Sequence, residues 1–159
     1  MIVLIFDLDD TILMSKTYSK YSDIKPDEYF RYLLDGLDSK RFIYTNGTYS
    51  HGEESLKNLQ IIDLFDDIYA RDILPYMKPY FESFNEVKNI LFYKHNCSQL
   101  DTFIFFDDMP QNLETAKQVG WITIWIHPEG HSHFNFVDYW FKDVHNALVF
   151  IKSKININQ

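Results

Sequence analysis

Short apolar runs alternate along this chain with longer stretches in which apolar residues recur every three or four positions, a rhythm that predicts βαβ units on a parallel sheet. Ile2 to Phe6 is continuously apolar, as expected of a strand buried on both faces. Phe42 to Tyr44, Asp67 to Ala70, Phe103 to Phe106 and Ile122 to Ile126 complete a set of five predicted strands. The third is the least regular, because Asp66 and Asp67 crowd its start.

Five helices fill the intervals. Pro26 to Leu37 opens on a proline, which suits a first helical turn, and places Tyr29, Phe30, Leu33, Leu34 and Leu37 at helical spacing. Ser50 and Glu53 have the spacing of a capping box ahead of Leu56 and Leu59. Pro79 opens a third helix with the stripe Phe81, Phe84, Val87 and Leu91. Gln111 to Val119 is a fourth, stopped by Gly120. Val137 to Ile151, with Trp140, Phe141, Val144 and Leu148 on one face, is the fifth, and Lys154 to Gln159 are expected to fray. No repeat or linker divides the chain, so residues 1–159 read as a single Rossmann-like three-layer α/β domain with a central parallel sheet of about five strands.

Composition narrows the class of function. At 46% hydrophobic and 24% charged residues, the chain is that of an ordinary globular protein. A net charge of -8 supplies none of the clustered positive charge that nucleic acid requires, so strong nucleic-acid binding is not expected. A small phosphate ester is not excluded on that ground. Cys97 is the single cysteine, so it makes no internal disulfide and no CxxC pair. The first apolar run ends at Asp7, too short for a signal peptide or a membrane span. The expectation is a cytoplasmic or other reducing compartment, with no membrane partner.

Parallel strands in such a sheet point the same way, so their C-terminal ends share one edge, where open α/β sheets bind ligands. Asp7 follows the first strand and Thr45 the second, while Asp107 and Asp108 follow the fourth. Lys78 opens the helix after the third. Four polar elements thus converge on that edge, and Asp7, Asp9, Asp107 and Asp108 together would repel one another without a cation.

These segments carry a family resemblance. VLIFDLDDT (Val3 to Thr11) resembles the first motif of the haloacid dehalogenase-like hydrolases, an apolar strand followed by DxDxT. YTNG with Thr45, MKP with Lys78 and FIFFDDMPQN with Asp107 and Asp108 resemble the second, third and fourth motifs in order, so the likeness spans Val3 to about Ile126. It implies a Mg²⁺-dependent phosphomonoesterase. The chemistry suits the residue types: the Asp7 carboxylate can attack phosphorus and form an aspartyl-phosphate, and Asp9 can protonate the leaving oxygen and later deprotonate the attacking water. Asp7 and Asp107 suit Mg²⁺, a hard cation that takes oxygen ligands. The resemblance adds the backbone carbonyl of Asp9 as a ligand and places Asp108 in or beside that shell. Thr45 and the N–H of Asn46 would cradle phosphate oxygens, with Lys78 neutralising the nucleophile and the phosphoryl group. Dehalogenases of the family lack an acid at the position of Asp9, so its presence argues for phosphoryl transfer. Asn112 matches a position that orients the acidic loop, and Met109 departs from the small polar residue common there.

Many relatives carry a cap domain. The 29 residues from Ile12 to Lys40 and the 32 from Asn46 to Met77 are too few for one, which implies a capless protein with an open site. An open site suits a phosphoprotein substrate, or a lid donated by a second copy in a homo-oligomer. The wording TNG, LFDDI, KP and DDMPQN is nearest to the pyrimidine 5′-nucleotidase-like branch, which makes a nucleotide 5′-monophosphate another candidate substrate. A non-catalytic phosphate- or partner-binding module is the rival from a different class. Tyr18, Lys20 and Tyr21 form a flap expected to set specificity, and the segment HPEGHSH with His127, His131 and His133 reads as a polar loop rather than a zinc site.

Overall fold

The first apolar run forms β1 (Ile2–Phe6), and its side chains alternate between two cores. The computed structural model describes residues 1–131 and 133–157. β2 (Ser39–Tyr44), β3 (Asp67–Tyr69), β4 (Thr102–Asp107), β5 (Ile122–Ile126) and β6 (Tyr139–Phe141) join β1 in one sheet of order β3-β2-β1-β4-β5-β6. Every pairing is parallel. The helices are α1 (Glu28–Leu34), α2 (Tyr49–Asn58), α3 (Phe81–Lys94), α4 (Pro110–Gln118) and α5 (Val144–Ile157).

On one face Leu4 and Phe6 pack with Phe30 and Leu34 of α1, Leu56 of α2 and Leu148 of α5. On the other, Val3 and Ile5 meet Phe84 and Leu91 of α3 and Leu113 of α4. Each such side chain contributes about 1.5–3 kcal/mol on burial. Phe6 and Phe106 stack with ring centroids 4.4 Å apart in the centre of the first core. The strand order reverses direction between β1 and β4, and the crevice at that reversal is where this architecture receives ligands.

The sheet has six strands rather than five. The sixth lies inside the segment expected to begin the last helix. Trp140 packs against one core and its neighbour Phe141 against the other, a period of two that only a strand provides. Asp138 anchors its start, its carboxylate accepting from Thr123 N–H at 2.8 Å and its own N–H donating to Thr123 O at 3.1 Å. The helix begins at Val144, with Asp143 accepting from Asn146 N–H at 2.8 Å, and runs to Ile157. Lys154 to Ile157 are therefore helical rather than frayed; the other two residues of that expectation, Asn158 and Gln159, lie outside the described residues.

The cap of α2 also differs from expectation. Thr48, two residues before Ser50, is the N-cap and accepts from His51 N–H at 3.2 Å. Gly120 stops α4 as expected, at φ 90°, a backbone conformation that disfavours any side chain. Cys97 is buried. The interval from β1 to β2 holds two 3₁₀ turns, Ser15–Thr17 and Tyr21–Asp23, and α1. The interval from β2 to α3 holds α2, a 3₁₀ turn at Ile62–Leu64 and β3, with no cap domain in either.

Candidate active site

Strand register assembles the site. Phe6 pairs with Phe106, so the next residues, Asp7 and Asp107, stand side by side at the C-terminal ends of the two central strands. Asp7 N–H donates to Phe106 O at 2.9 Å, which extends the ladder by one more bond. Both carboxylates are buried, Asp107 completely. Lys78, 3% exposed, lies between them, and its Nζ donates to Asp7 Oδ1 at 3.1 Å, Asp107 Oδ2 at 2.8 Å and Tyr44 O at 2.7 Å. All three ammonium protons are therefore used.

The turn after β1 sets the second acid. Leu8 O accepts from the N–H groups of Thr11, Ile12 and Leu13, and Asp10 takes φ 60°, a left-handed conformation that Asp tolerates better than most residues. This tight turn brings the buried Thr11 back onto Asp7, to which its hydroxyl donates at 2.9 Å. The Thr of DxDxT thereby orients the nucleophile candidate, a contact that the i, i+4 spacing alone does not announce. Asp9 is more exposed than the buried pair and lies outside the acidic triad of Asp7, Asp107 and Asp108. Its two carboxylate oxygens lie 2.9 and 3.1 Å from His51 Nε2, a residue that motif reasoning missed.

The loops after β2 and β3 are tied together by a reciprocal amide pair. Asn46 Nδ2 donates to Lys78 O and Lys78 N–H donates to Asn46 Oδ1, both at 2.9 Å. Thr45 N–H donates to Tyr69 O at 2.9 Å, and its hydroxyl accepts from Gly47 N–H at 3.0 Å. Asn112 Nδ2 donates to Asp107 Oδ2 at 3.0 Å and Met109 N–H to Asp107 Oδ1 at 2.8 Å, so the first turn of α4 holds that carboxylate from two sides. Trp125 Nε1 donates to the Asp108 carbonyl at 2.9 Å. Asp7, Asp9, Thr45, Asn46, Lys78 and Asp108 open onto a shared cleft of about 200 Å³.

The electrostatics of the cluster favour a cation. Burial pushes the Asp107 carboxyl up to about 6, and the Asp7 charge adds to it against the pull of Lys78. Asp108 is pushed up to about 8 by burial, then by its hydrogen bond to Asp7 and by the Asp7 and Asp107 charges. Burial alone would lower Lys78, but Asp107 and Asp7 outweigh it and hold the ammonium above the ordinary lysine range. Asp7, Asp107 and Asp108 each offer a carboxylate oxygen, all within 4.8 Å of one another. One ammonium facing three carboxylates leaves negative charge uncompensated, and the all-oxygen donor set fits a hard divalent cation. The Asp9 carboxylate stands outside that triad.

A pH dependence follows for the metal-free protein. In the folded chain Asp107 and Asp108 hold protons that ordinary aspartates, at 3.8, have released. Stability falls with rising pH wherever the folded state binds the more protons. This cluster is therefore expected to lower the thermal midpoint as pH rises from about 4 to about 8, and Asp108→Asn should flatten that fall. A slope unchanged by Asp108→Asn would contradict the assignment.

The histidine segment sits beyond β5. His127 Nδ1 accepts from Glu129 N–H at 3.0 Å and His131 Nδ1 from His133 N–H at 3.1 Å, with both rings against Trp125. Ser132 of that segment lies outside the described residues. Among the described residues no helix is long and apolar enough to cross a membrane.

Comparison with known proteins gives a family. The family described as haloacid dehalogenase-like hydrolase matches residues 13–126, which includes Thr45, Lys78, Asp107 and Asp108 and starts just after the Asp7–Thr11 turn. Among solved structures the chain is similar to a HAD hydrolase (YfnB) from Bacillus subtilis bound to magnesium, at 14% identity and TM-score 0.69, covering 95% of this chain and 98% of that one. It is similar to an L-2-haloacid dehalogenase from Xanthobacter autotrophicus at 12% identity and TM-score 0.72, with 96% and 99% covered. A HAD phosphatase from Thermococcus onnurineus matches at 18% identity and TM-score 0.67, with 95% and 98% covered. At these identities the structural likeness shows the fold. No curated protein matches the chain.

Proposed function

The chain belongs to the haloacid dehalogenase-like hydrolases, and from that premise we propose that it is a Mg²⁺-dependent phosphomonoesterase working through an aspartyl-phosphate on Asp7. One observation carries the reading. A buried carboxylate, oriented by Thr11 and Lys78, shares a cleft with a second carboxylate, Asp9, that is not committed to the acidic triad.

In the first step an Asp7 oxygen attacks phosphorus. The bond from phosphorus to the leaving oxygen breaks, and Asp9 gives that oxygen its proton. In the second step Asp9 takes a proton from water, the water oxygen attacks phosphorus, and the bond to Asp7 breaks to release inorganic phosphate. The Thr45 hydroxyl would contact the transferring oxygens together with the Asn46 N–H, which has no acceptor among the described residues. Lys78 keeps Asp7 oriented through both steps and screens its charge from Asp107. Asp7, Asp107 and Asp108, with the Asp9 carbonyl, would hold Mg²⁺, which supplies positive charge to the phosphoryl group. Asn112 holds Asp107 for that purpose.

The short intervals between strands support a capless, single-domain reading with an open cleft. Such a cleft suits a phosphate presented on a protein, and the nucleotidase-like wording of the motifs is the reason to test nucleotides beside phosphopeptides. An open cleft also leaves room for a lid from a second copy. An acid at Asp9 favours phosphate esters over haloacids, because halide leaves without a proton.

The test is phosphate release from 4-nitrophenyl phosphate with Mg²⁺ and with EDTA. EDTA should silence turnover and Mg²⁺ restore it. Mg²⁺ at 100 times its Kd should also stabilise the protein by about 2.7 kcal/mol, read as a raised thermal midpoint. Turnover indifferent to EDTA would remove the metal from the proposal. Chloride release from 2-chloropropionate without phosphatase activity would replace it with a dehalogenase, and inert binding of phosphate would favour the non-catalytic module.

A further inference from the structure

An acid that hands its proton to a leaving oxygen has to stand within about 2.6–3.2 Å of that oxygen in the reacting complex. Asp9 is poorly constrained by its own surroundings, with its side chain 38% exposed and outside the metal-competent triad. What holds it is His51, whose Nε2 faces both Asp9 oxygens. The other ring nitrogen, Nδ1, lies 2.8 Å from the Tyr21 hydroxyl. An ionised carboxylate only accepts, so Nε2 carries the proton and donates to Asp9, and in a neutral ring Nδ1 then accepts from the Tyr21 hydroxyl. A protonated Asp9 still keeps an acceptor oxygen for the same bond. The contact therefore survives both halves of the reaction.

The surrounding chain is arranged to place that ring. His51 sits in the first turn of α2, and its backbone N–H is the one that Thr48 caps. Gly47 makes way for it: a Cβ there would lie 3.1 Å from His51 Cδ2 and 3.3 Å from Thr45 Oγ1, closer than most such contacts. Tyr21 comes from the 3₁₀ turn at Tyr21–Asp23, in the flap between β1 and α1, and its ring centroid is 5.7 Å from that of His51. Flap, helix and acid thus meet at one imidazole.

We propose that His51, braced by Tyr21, is a positioning residue that aims the Asp9 carboxyl at the leaving oxygen. The proposal rests on the phosphomonoesterase reading above. Its signature is a dependence on the leaving group. Phenolate from phenyl phosphate needs a proton as it departs, whereas 2,4-dinitrophenolate leaves without one. A residue that merely supports the fold would slow both esters alike.

The experiment measures kcat/KM for both esters in wild type, His51→Ala, His51→Gln and Tyr21→Phe, each with Mg²⁺. A positioned general acid contributes about 10²–10⁴-fold, so losing the aim but not the acid should cost His51→Ala on the order of 10-fold or more on phenyl phosphate. On 2,4-dinitrophenyl phosphate the loss should stay within about 2-fold, since no proton is required there. His51→Gln, whose amide can take the place of Nε2–H, should recover most of the loss, and Tyr21→Phe should show a smaller loss in the same direction. Gln and Phe at these positions serve also if the Ala variant does not fold. Equal losses on both esters, or none on phenyl phosphate, would overturn the positioning role while leaving the phosphatase standing. A wild type inert toward both esters would overturn both.

Discussion

Asp7→Asn is expected to end phosphate ester hydrolysis, with kcat falling on the order of 10⁴-fold or more, the scale seen when a covalent nucleophile is removed. An amide does not form the mixed anhydride that the two-step route requires. The substitution preserves shape, and Thr11 can still donate to the remaining carbonyl oxygen. It also removes one of three crowded carboxylates, which relieves the repulsion that raises Asp107 and Asp108. It also gives up one of the two anionic partners of Lys78, which keeps Asp107, so the metal-free variant should remain folded. Parallel measurement of kcat and thermal midpoint separates the two effects. Activity within 10-fold of wild type would overturn the nucleophile assignment, and a collapsed midpoint would recast Asp7 as structural.

Lys78→Met should damage both stability and turnover. The substitution keeps the length of a side chain whose end lies over the Tyr44 and Phe105 rings, but Asp7 and Asp107 lose their shared cation. Breaking a buried pair from one side costs about 3–5 kcal/mol. The loss should depend on pH. Lys78 is held above its unfolded value, so its contribution is complete below the ordinary lysine range and disappears only at higher, strongly alkaline pH. Without it Asp107 is more readily protonated, which limits the cost in acid and enlarges it at pH 8. Urea unfolding at pH 5 and pH 8 reads this difference. A loss under about 1 kcal/mol at both values would match an ordinary surface pair instead. Turnover should fall about 10²–10³-fold through loss of positive charge beside the reacting phosphoryl group.

Much of this site was legible because it depends on where strands end. The apolar runs that stop at Asp7 and Asp107 identify two C-terminal ends, and parallel topology brings them to one edge. Lys78 was legible by its place between strand and helix, although its full set of protein acceptors was not. His51 lies 42 positions from Asp9, and no local rule of spacing links them; the contact exists only once the sheet order is known. Asn112 is legible as a match to the position that orients the acidic loop, and its amide bonds to Asp107. The sixth strand was hidden by length. Three residues do not display a period of two, and Trp140, Phe141, Val144 and Leu148 happen also to fit a helical stripe. Thr48 displaced Ser50 as cap because the helix begins one residue before Ser50, a shift within the usual uncertainty of helix ends.

Both margins of the sheet, β3 and β6, are only three residues long. Long apolar edges act as templates for pairing with other chains, and very short edge strands are one way to blunt them. The four longer strands, β1, β2, β4 and β5, lie inside, each with a neighbour on both sides along all or part of its length. Growth of the sheet by strand addition from a neighbouring molecule is thereby disfavoured, which keeps a strongly aromatic chain away from cross-β aggregates.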